Sequence, residues 1–169
     1  MVKHTIKYSI ICGVFLIVLF FVSIQFGTSP FLDIRHFFVD VIIFFLFIFF
    51  ANKEFRSYHN DDILHFWQGM TISFLVYVPS VIIFSLILLI MLSMDPSYLE
   101  AYKSGAIDLL ESQKTLFLEK FPKEQFDLQL AAINDVTTVE LMFDTLSKKI
   151  LAGFFISPVV SIILRKKSK

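Results

Sequence analysis

From Phe66 to Met94 the chain carries no acidic or basic residue, and Ile, Leu, Val, Phe and Met fill most of its positions. As a helix rising ~1.5 Å per residue this run is about 42 Å long, more than the ~30 Å hydrocarbon core of a bilayer. A helix apolar on every side cannot bury one stripe against a soluble core. It needs lipid around it and other helices beside it. This run also divides the sequence, with two apolar runs before it and a charged stretch and a final apolar run after it.

The first run, residues 8–26, follows Lys3 and Lys7 and reaches roughly 28 Å as a helix. It is longer than the ~7–15-residue core of a signal peptide, and Phe26-Gly27-Thr28-Ser29-Pro30 reads as a turn, so it is expected to be a retained span. Ser29 and Pro30 supply a cap and a first-turn proline for a second span, residues 30–51, followed by a loop from Asn52 to Asp62. The third span is 66–94, with Trp67 as an interfacial anchor and Tyr77 on a wetter face. The fourth is 144–164. Its apolar part, Ile150 to Leu164, covers only about 22 Å, so Lys148 and Lys149 are expected to snorkel. Pro79 and Pro158 each remove a backbone donor and should kink spans three and four. Small residues recur every four positions at Gly69 and Ser73 and at Gly153, Ser157 and Ser161, a spacing that lets another helix approach closely.

Between spans three and four, residues 95–143 change to mixed charge. Asp95-Pro96 opens an amphipathic helix from Leu99 to Phe121, Lys123 to Asn134 suits a second, and Thr137-Thr138-Val139-Glu140 is a capping box that opens the helix leading into the last span. With 56% hydrophobic residues in 169 and a mean hydropathy of +0.74, the fold class is all-α: a single-domain integral membrane four-helix bundle with a helical extramembrane insert. Formal net charge is zero, which sets nucleic acid aside as a partner. The positive-inside rule puts both termini in the cytoplasm and the insert outside: Lys3, Lys7, Lys53, Arg56, Arg165, Lys166, Lys167 and Lys169 stand on the inner side against Arg35 in the outer turn, a count that discounts Lys103, Lys114, Lys120, Lys123, Lys148 and Lys149 of the long insert.

Four spans, a Leu64-x-Phe66-x-Gln68-Gly69 start to the third, an Asp95-Pro96 exit into a helical insert and a glycine-bearing fourth span ending in Arg165-Lys166-Lys167 resemble the bacterial membrane proteins catalogued as domain of unknown function 4199. The likeness covers nearly the whole chain. It implies a small inner-membrane protein with no established activity and no agreed catalytic residues, and it offers a polyprenol-phosphate glycosyltransferase as a partner.

The residues that could carry chemistry are few. His36 and Asp40 lie four apart on one face of the second span, the kind of pair that relays protons or holds a cation within a membrane. The plainer reading, an interfacial polar cluster with Asp33 and Arg35, is preferred. His65 and Gln68 with Asp61 and Asp62 form a second polar group on the opposite leaflet, read as a capped helix start. Lone Cys12 sits in an apolar run, no Cys/His spacing suggests a metal, and the carboxylates of the insert have no spacing that singles out a catalytic pair. The expectation is a non-enzymatic accessory subunit without cofactor, docking on a second copy or on another membrane protein through the Gly153/Ser157/Ser161 stripe and the Leu99–Phe121 helix. The alternative is a small oligomeric transporter or channel subunit that uses His36 and Asp40.

Overall fold

The structure, a computed structural model, describes residues 2–27 and 29–166. Thr28, Lys167, Lys169 and the side chain of Lys3, all used in the sequence reading, lie outside the described residues. The described residues form seven helices: α1 (Val2–Gln25), α2 (Ile34–His59), α3 (Phe66–Met94), α4 (Ser97–Ser112), α5 (Lys114–Lys120), α6 (Lys123–Asp135) and α7 (Thr138–Leu164). Four of them, α1, α2, α3 and α7, are long and apolar enough to cross a membrane.

Helix α3 is the axis of the bundle. It packs on α7 and α1, with α2 closing the ring against α7 and touching α1 less. Hydrocarbon gives apolar side chains no reason to leave lipid for each other, so helices there meet by close backbone approach and by hydrogen bonds. Both devices are present. A Cβ on Gly153 would fall 2.5 Å from Tyr77 Cδ2, and one on Gly69 would fall 2.8 Å from Ser161 Oγ. Ser73, Ser157 and Ser161 are fully buried in the same α3–α7 seam, their hydroxyls returned to carbonyls one turn back. The small-residue stripe expected to receive a partner is therefore occupied by the chain's own third span. Tyr77, expected on a wetter face, is 1% exposed, because Gly153 leaves room for its ring there.

Pro79 lies inside continuous α3 and has no N–H for the carbonyl of Leu75, four residues earlier. Ser9 of α1 supplies that donor, its Oγ 2.6 Å from Leu75 O, and Ser80 Oγ donates back to Ser9 O at 2.8 Å. Asn52 likewise links α2 to α3 by donating to Ser73 Oγ at 3.3 Å. Outward positions such as Ile10, Val14 and Val18 of α1 or Ile82, Leu86 and Ile90 of α3 are exposed, the face that lipid covers.

Several boundaries differ from those read in the sequence. Helix α2 starts at Ile34, not Pro30: Ser29 O accepts only turn bonds from Leu32 and Asp33, and the carboxylate of Asp33 captures the Arg35 N–H. It also runs to His59 instead of ending at Ala51, because its polar last turns find distant partners. Glu54 takes Lys7 at 2.5 Å and the Tyr8 hydroxyl, and Arg56 donates to Leu164 O at 3.3 Å. The insert's long helix is two, since the chain turns at Gln113 so that the Phe117 ring reaches Phe126 at 5.8 Å. The α7 helix starts at Thr138 with its capping box formed.

At one end of the bundle the α2–α3 turn meets the end of α7. Asp61 and Asp62 take left-handed φ values of 47° and 60°, Leu64 pairs with Lys166 through N–H···O bonds of 2.9 and 3.0 Å, and Asp62 binds Lys166 and Arg56. The Lys166 hydrogen bond and the two positive charges hold the Asp62 carboxyl below its ordinary value. Its stabilising contribution is thus complete above the unfolded carboxylate value of ~3.9 and lost as pH falls through the lower folded one.

Gly153→Ala places a methyl inside the contact radius of Tyr77 and is expected to cost about 1–3 kcal/mol, with Gly153→Leu costing more. Unfolding of the purified protein in detergent micelles reads this directly. An unchanged midpoint for both variants contradicts the seam.

Candidate functional site

The other end of the bundle, where the α1–α2 turn and the start of α7 lie, holds the polar group of greatest interest. Asp33 both caps α2 and grips Arg35, with its carboxylate accepting from Arg35 Nε at 2.8 and 3.0 Å and from Nη2 at 2.7 Å. Exposed Arg35 and partly buried Asp33 are spent on each other, and the Arg35 bonds hold the Asp33 carboxyl below its ordinary value. Asp33 lines the same pocket as His36 and Asp40, but it bonds Arg35 and not Asp40, and Arg35 lies outside that lining, so the four residues do not form the single interfacial cluster that the sequence suggests.

Asp40 points into the bundle instead. Six residues past the start of α2, or about 9 Å along it, both carboxylate oxygens accept from Lys149 Nζ of α7. Each distance is 2.7 Å, and the two side chains are 13% and 9% exposed. The ammonium also lies 4.5 Å from the centre of the Phe84 ring of α3, so three helices converge on one charge. Lys149 does not snorkel as expected, because the carboxylate and the aromatic face replace the water its ammonium would otherwise need. Lys148, one residue earlier, does face outward and pairs with Asp144 at 2.5 Å.

His36 stands one turn before Asp40, with its Nδ1 3.5 Å from Ser23 Oγ of α1. Together with Thr145, Lys148, Lys149 and Asp40 it lines a half-open pocket of about 320 Å³, whose remaining walls include Leu16, Phe20 and Phe37. The sequence brought His36 and Asp40 together but missed Lys149. The signal was present: stepping back four residues from Gly153 along the Gly153/Ser157/Ser161 stripe gives Lys149 and then Thr145, both buried.

The second polar group closes the α2–α3 turn at the opposite end. His65 N–H donates to Gln68 Oε1 at 2.9 Å, and Asn60 Nδ2 donates to the same oxygen at 3.2 Å and to Ile63 O at 2.7 Å. Gly69, Ser73, Gly153, Ser157 and Ser161 form the α3–α7 seam, and Pro79 and Pro158 lie within unbroken helices.

Four membrane-length helices around a buried ion pair, tied at one end and open into a pocket at the other, define a multi-pass membrane protein. The signature of the family described as Protein of unknown function (DUF4199) matches residues 7–166, which takes in α2 to α7 and all but the first residues of α1. The chain belongs to that family. No curated protein and no solved structure matches the chain.

Lys149→Met leaves Asp40 buried without its cation and should destabilise the protein by roughly 3–5 kcal/mol, whereas Asp40→Leu with Lys149→Met removes both charges and should recover most of that loss. Micelle unfolding of these two variants and of Asp40→Leu alone gives the coupling. Additive losses contradict the pair.

Proposed function

We propose that this chain is a non-enzymatic accessory subunit of a membrane assembly, set in the bacterial inner membrane with both termini cytoplasmic and the α4–α6 insert outside. The orientation rests on charge near the span ends: Lys7, Lys53, Arg56, Arg165 and Lys166 gather where α1 begins and α7 finishes, whereas at the other end the short α1–α2 turn carries Arg35, Lys148 and Lys149 are paired with Asp144 and Asp40, and the remaining lysines belong to the insert.

One observation carries the subunit reading. The insert helices pack on each other, and α4 meets the α1–α2 turn through Tyr102 on Phe31 and Gly105 beside Leu32. This leaves Leu116, Phe121 and Leu128 of the insert 64%, 47% and 69% exposed. Those side chains belong to a charged segment outside the apolar spans, where hydrocarbon does not cover them, and a protein surface is what does. With the Gly153/Ser157/Ser161 stripe turned inward, this patch replaces it as the contact surface. The partner is a second copy or another integral membrane protein, a polyprenol-phosphate glycosyltransferase among them.

A small oligomeric transporter or channel subunit is the second reading, favoured by the pocket beside His36 and Asp40. It ranks lower because both oxygens of Asp40 already hold Lys149, so a travelling cation must first displace an ammonium.

Purification from the native membrane in mild detergent, reading particle mass and co-purifying proteins together, tests the proposal. The expected particle holds a stoichiometric partner or several copies, and Leu116→Ser with Phe121→Ser reduces that association about tenfold, roughly 1.4 kcal/mol, without moving the unfolding midpoint. A bare monomer, or an assembly indifferent to the double substitution, overturns it.

A further inference from the structure

The pocket at the insert end has a composition that the accessory-subunit reading does not use. Its lining includes apolar Leu16 and Phe20 of α1 and Phe37 of α2, basic His36, Lys148 and Lys149, and the acids Asp33 and Asp40. The acids and bases are not equally engaged. Each oxygen of Asp33 already accepts from Arg35 and each oxygen of Asp40 from Lys149. A cationic headgroup entering here would therefore compete with a resident cation at either carboxylate.

The basic groups keep capacity. Among the described residues Lys148 is held only by Asp144, in an i,i+4 pair whose side chains are 54% and 46% exposed and so well screened by water, and Asp144 does not line the pocket. Its ammonium can swing to a ligand at little cost. Lys149 is already held by Asp40 and the Phe84 ring, but the His36 ring faces the same space as Lys148. A volume of about 320 Å³ lined by both basic and apolar side chains fits a headgroup and the first carbons of a chain.

We propose that this pocket binds a single amphiphile with a phosphate headgroup, the phosphate taken by Lys148 and His36 above the Asp40–Lys149 pair and the hydrocarbon laid along Leu16, Phe20 and Phe37. The proposal is independent of whether the insert docks on a partner, since every residue involved belongs to α1, α2 or α7.

The test uses the full chain in maltoside micelles, with lysophosphatidic acid, the monoacylglycerol of the same acyl length and inorganic phosphate as probes, and with bound lipid counted by native mass spectrometry. Lysophosphatidic acid is expected to saturate at one molecule per chain and to bind about tenfold or more tighter than the monoacylglycerol, with millimolar phosphate failing to displace it. Lys148→Gln and His36→Gln should each weaken lysophosphatidic acid several-fold and leave the monoacylglycerol unchanged, while Lys53→Gln, at the far end, changes neither. Val39→Trp, at a 38% exposed position on the pocket lining, should block both lipids without disturbing the core. Equal binding of the two lipids, loss of lysophosphatidic acid to free phosphate, or indifference to Lys148→Gln and His36→Gln would each overturn the assignment.

Discussion

The bundle depends on how closely α3 and α7 approach. In water two such helices would be pressed together by the apolar surface they hide, but in hydrocarbon that force is absent and dispersion between well-fitted surfaces has to replace it. Dispersion falls off steeply with distance, so the fit must be tight along the whole contact. Gly153 under the Tyr77 ring and Gly69 against Ser161 allow that, and Ser73, Ser157 and Ser161 return their own hydroxyls to their own helix.

The same stripe carries the bundle's charge. One turn before Gly153 it presents Lys149, which the seam holds beneath Phe84 and opposite Asp40 of α2. Small residues close the gap between α3 and α7, and a charged one then bridges from α7 to α2, so one face of one helix fixes the positions of two neighbours. Helix α1 is attached differently, through the exchange of hydrogen bonds between Ser9, Ser80 and the carbonyl that Pro79 leaves unpaired. The proline that the sequence marks as a defect is thereby a point of attachment. Because α1 meets α2 less closely than α3, space opens between them at the insert end, and the polar floor of that space is the Asp40–Lys149 pair.

What was legible in the sequence was what hydropathy and local hydrogen bonding decide. The four spans follow from apolar runs, and the start of α7 follows from Thr137 and Glu140, whose bonds close within one turn. What failed was decided by partners far away in sequence. Asn52 to His59 look like a loop until Glu54 meets Lys7 and Arg56 reaches Leu164 O. Tyr77 looks amphipathic until a glycine 76 positions later is placed over it. The site was half legible: His36 and Asp40 share a face by spacing alone, but the cation that completes the group lies 109 residues away from Asp40. A lysine at the edge of a short span also has a ready local explanation in snorkelling, and that explanation hid it.

If the stripe is spent within the chain, the free surfaces are the insert and the pocket; if it is spent between chains, both functional readings change. The direct measurement is oxidation of Gly69→Cys with Ser161→Cys in a Cys12→Ser background. A Cβ at Gly69 would lie 3.0 Å from that of Ser161, so relaxation by about half an ångström or more reaches the ~3.5–4.5 Å Cβ separation of a disulfide. The account predicts a bond closed within one chain, seen as a faster-migrating monomer at every protein concentration. A cross-linked dimer, or no bond under conditions that oxidise exposed control cysteines, would contradict it.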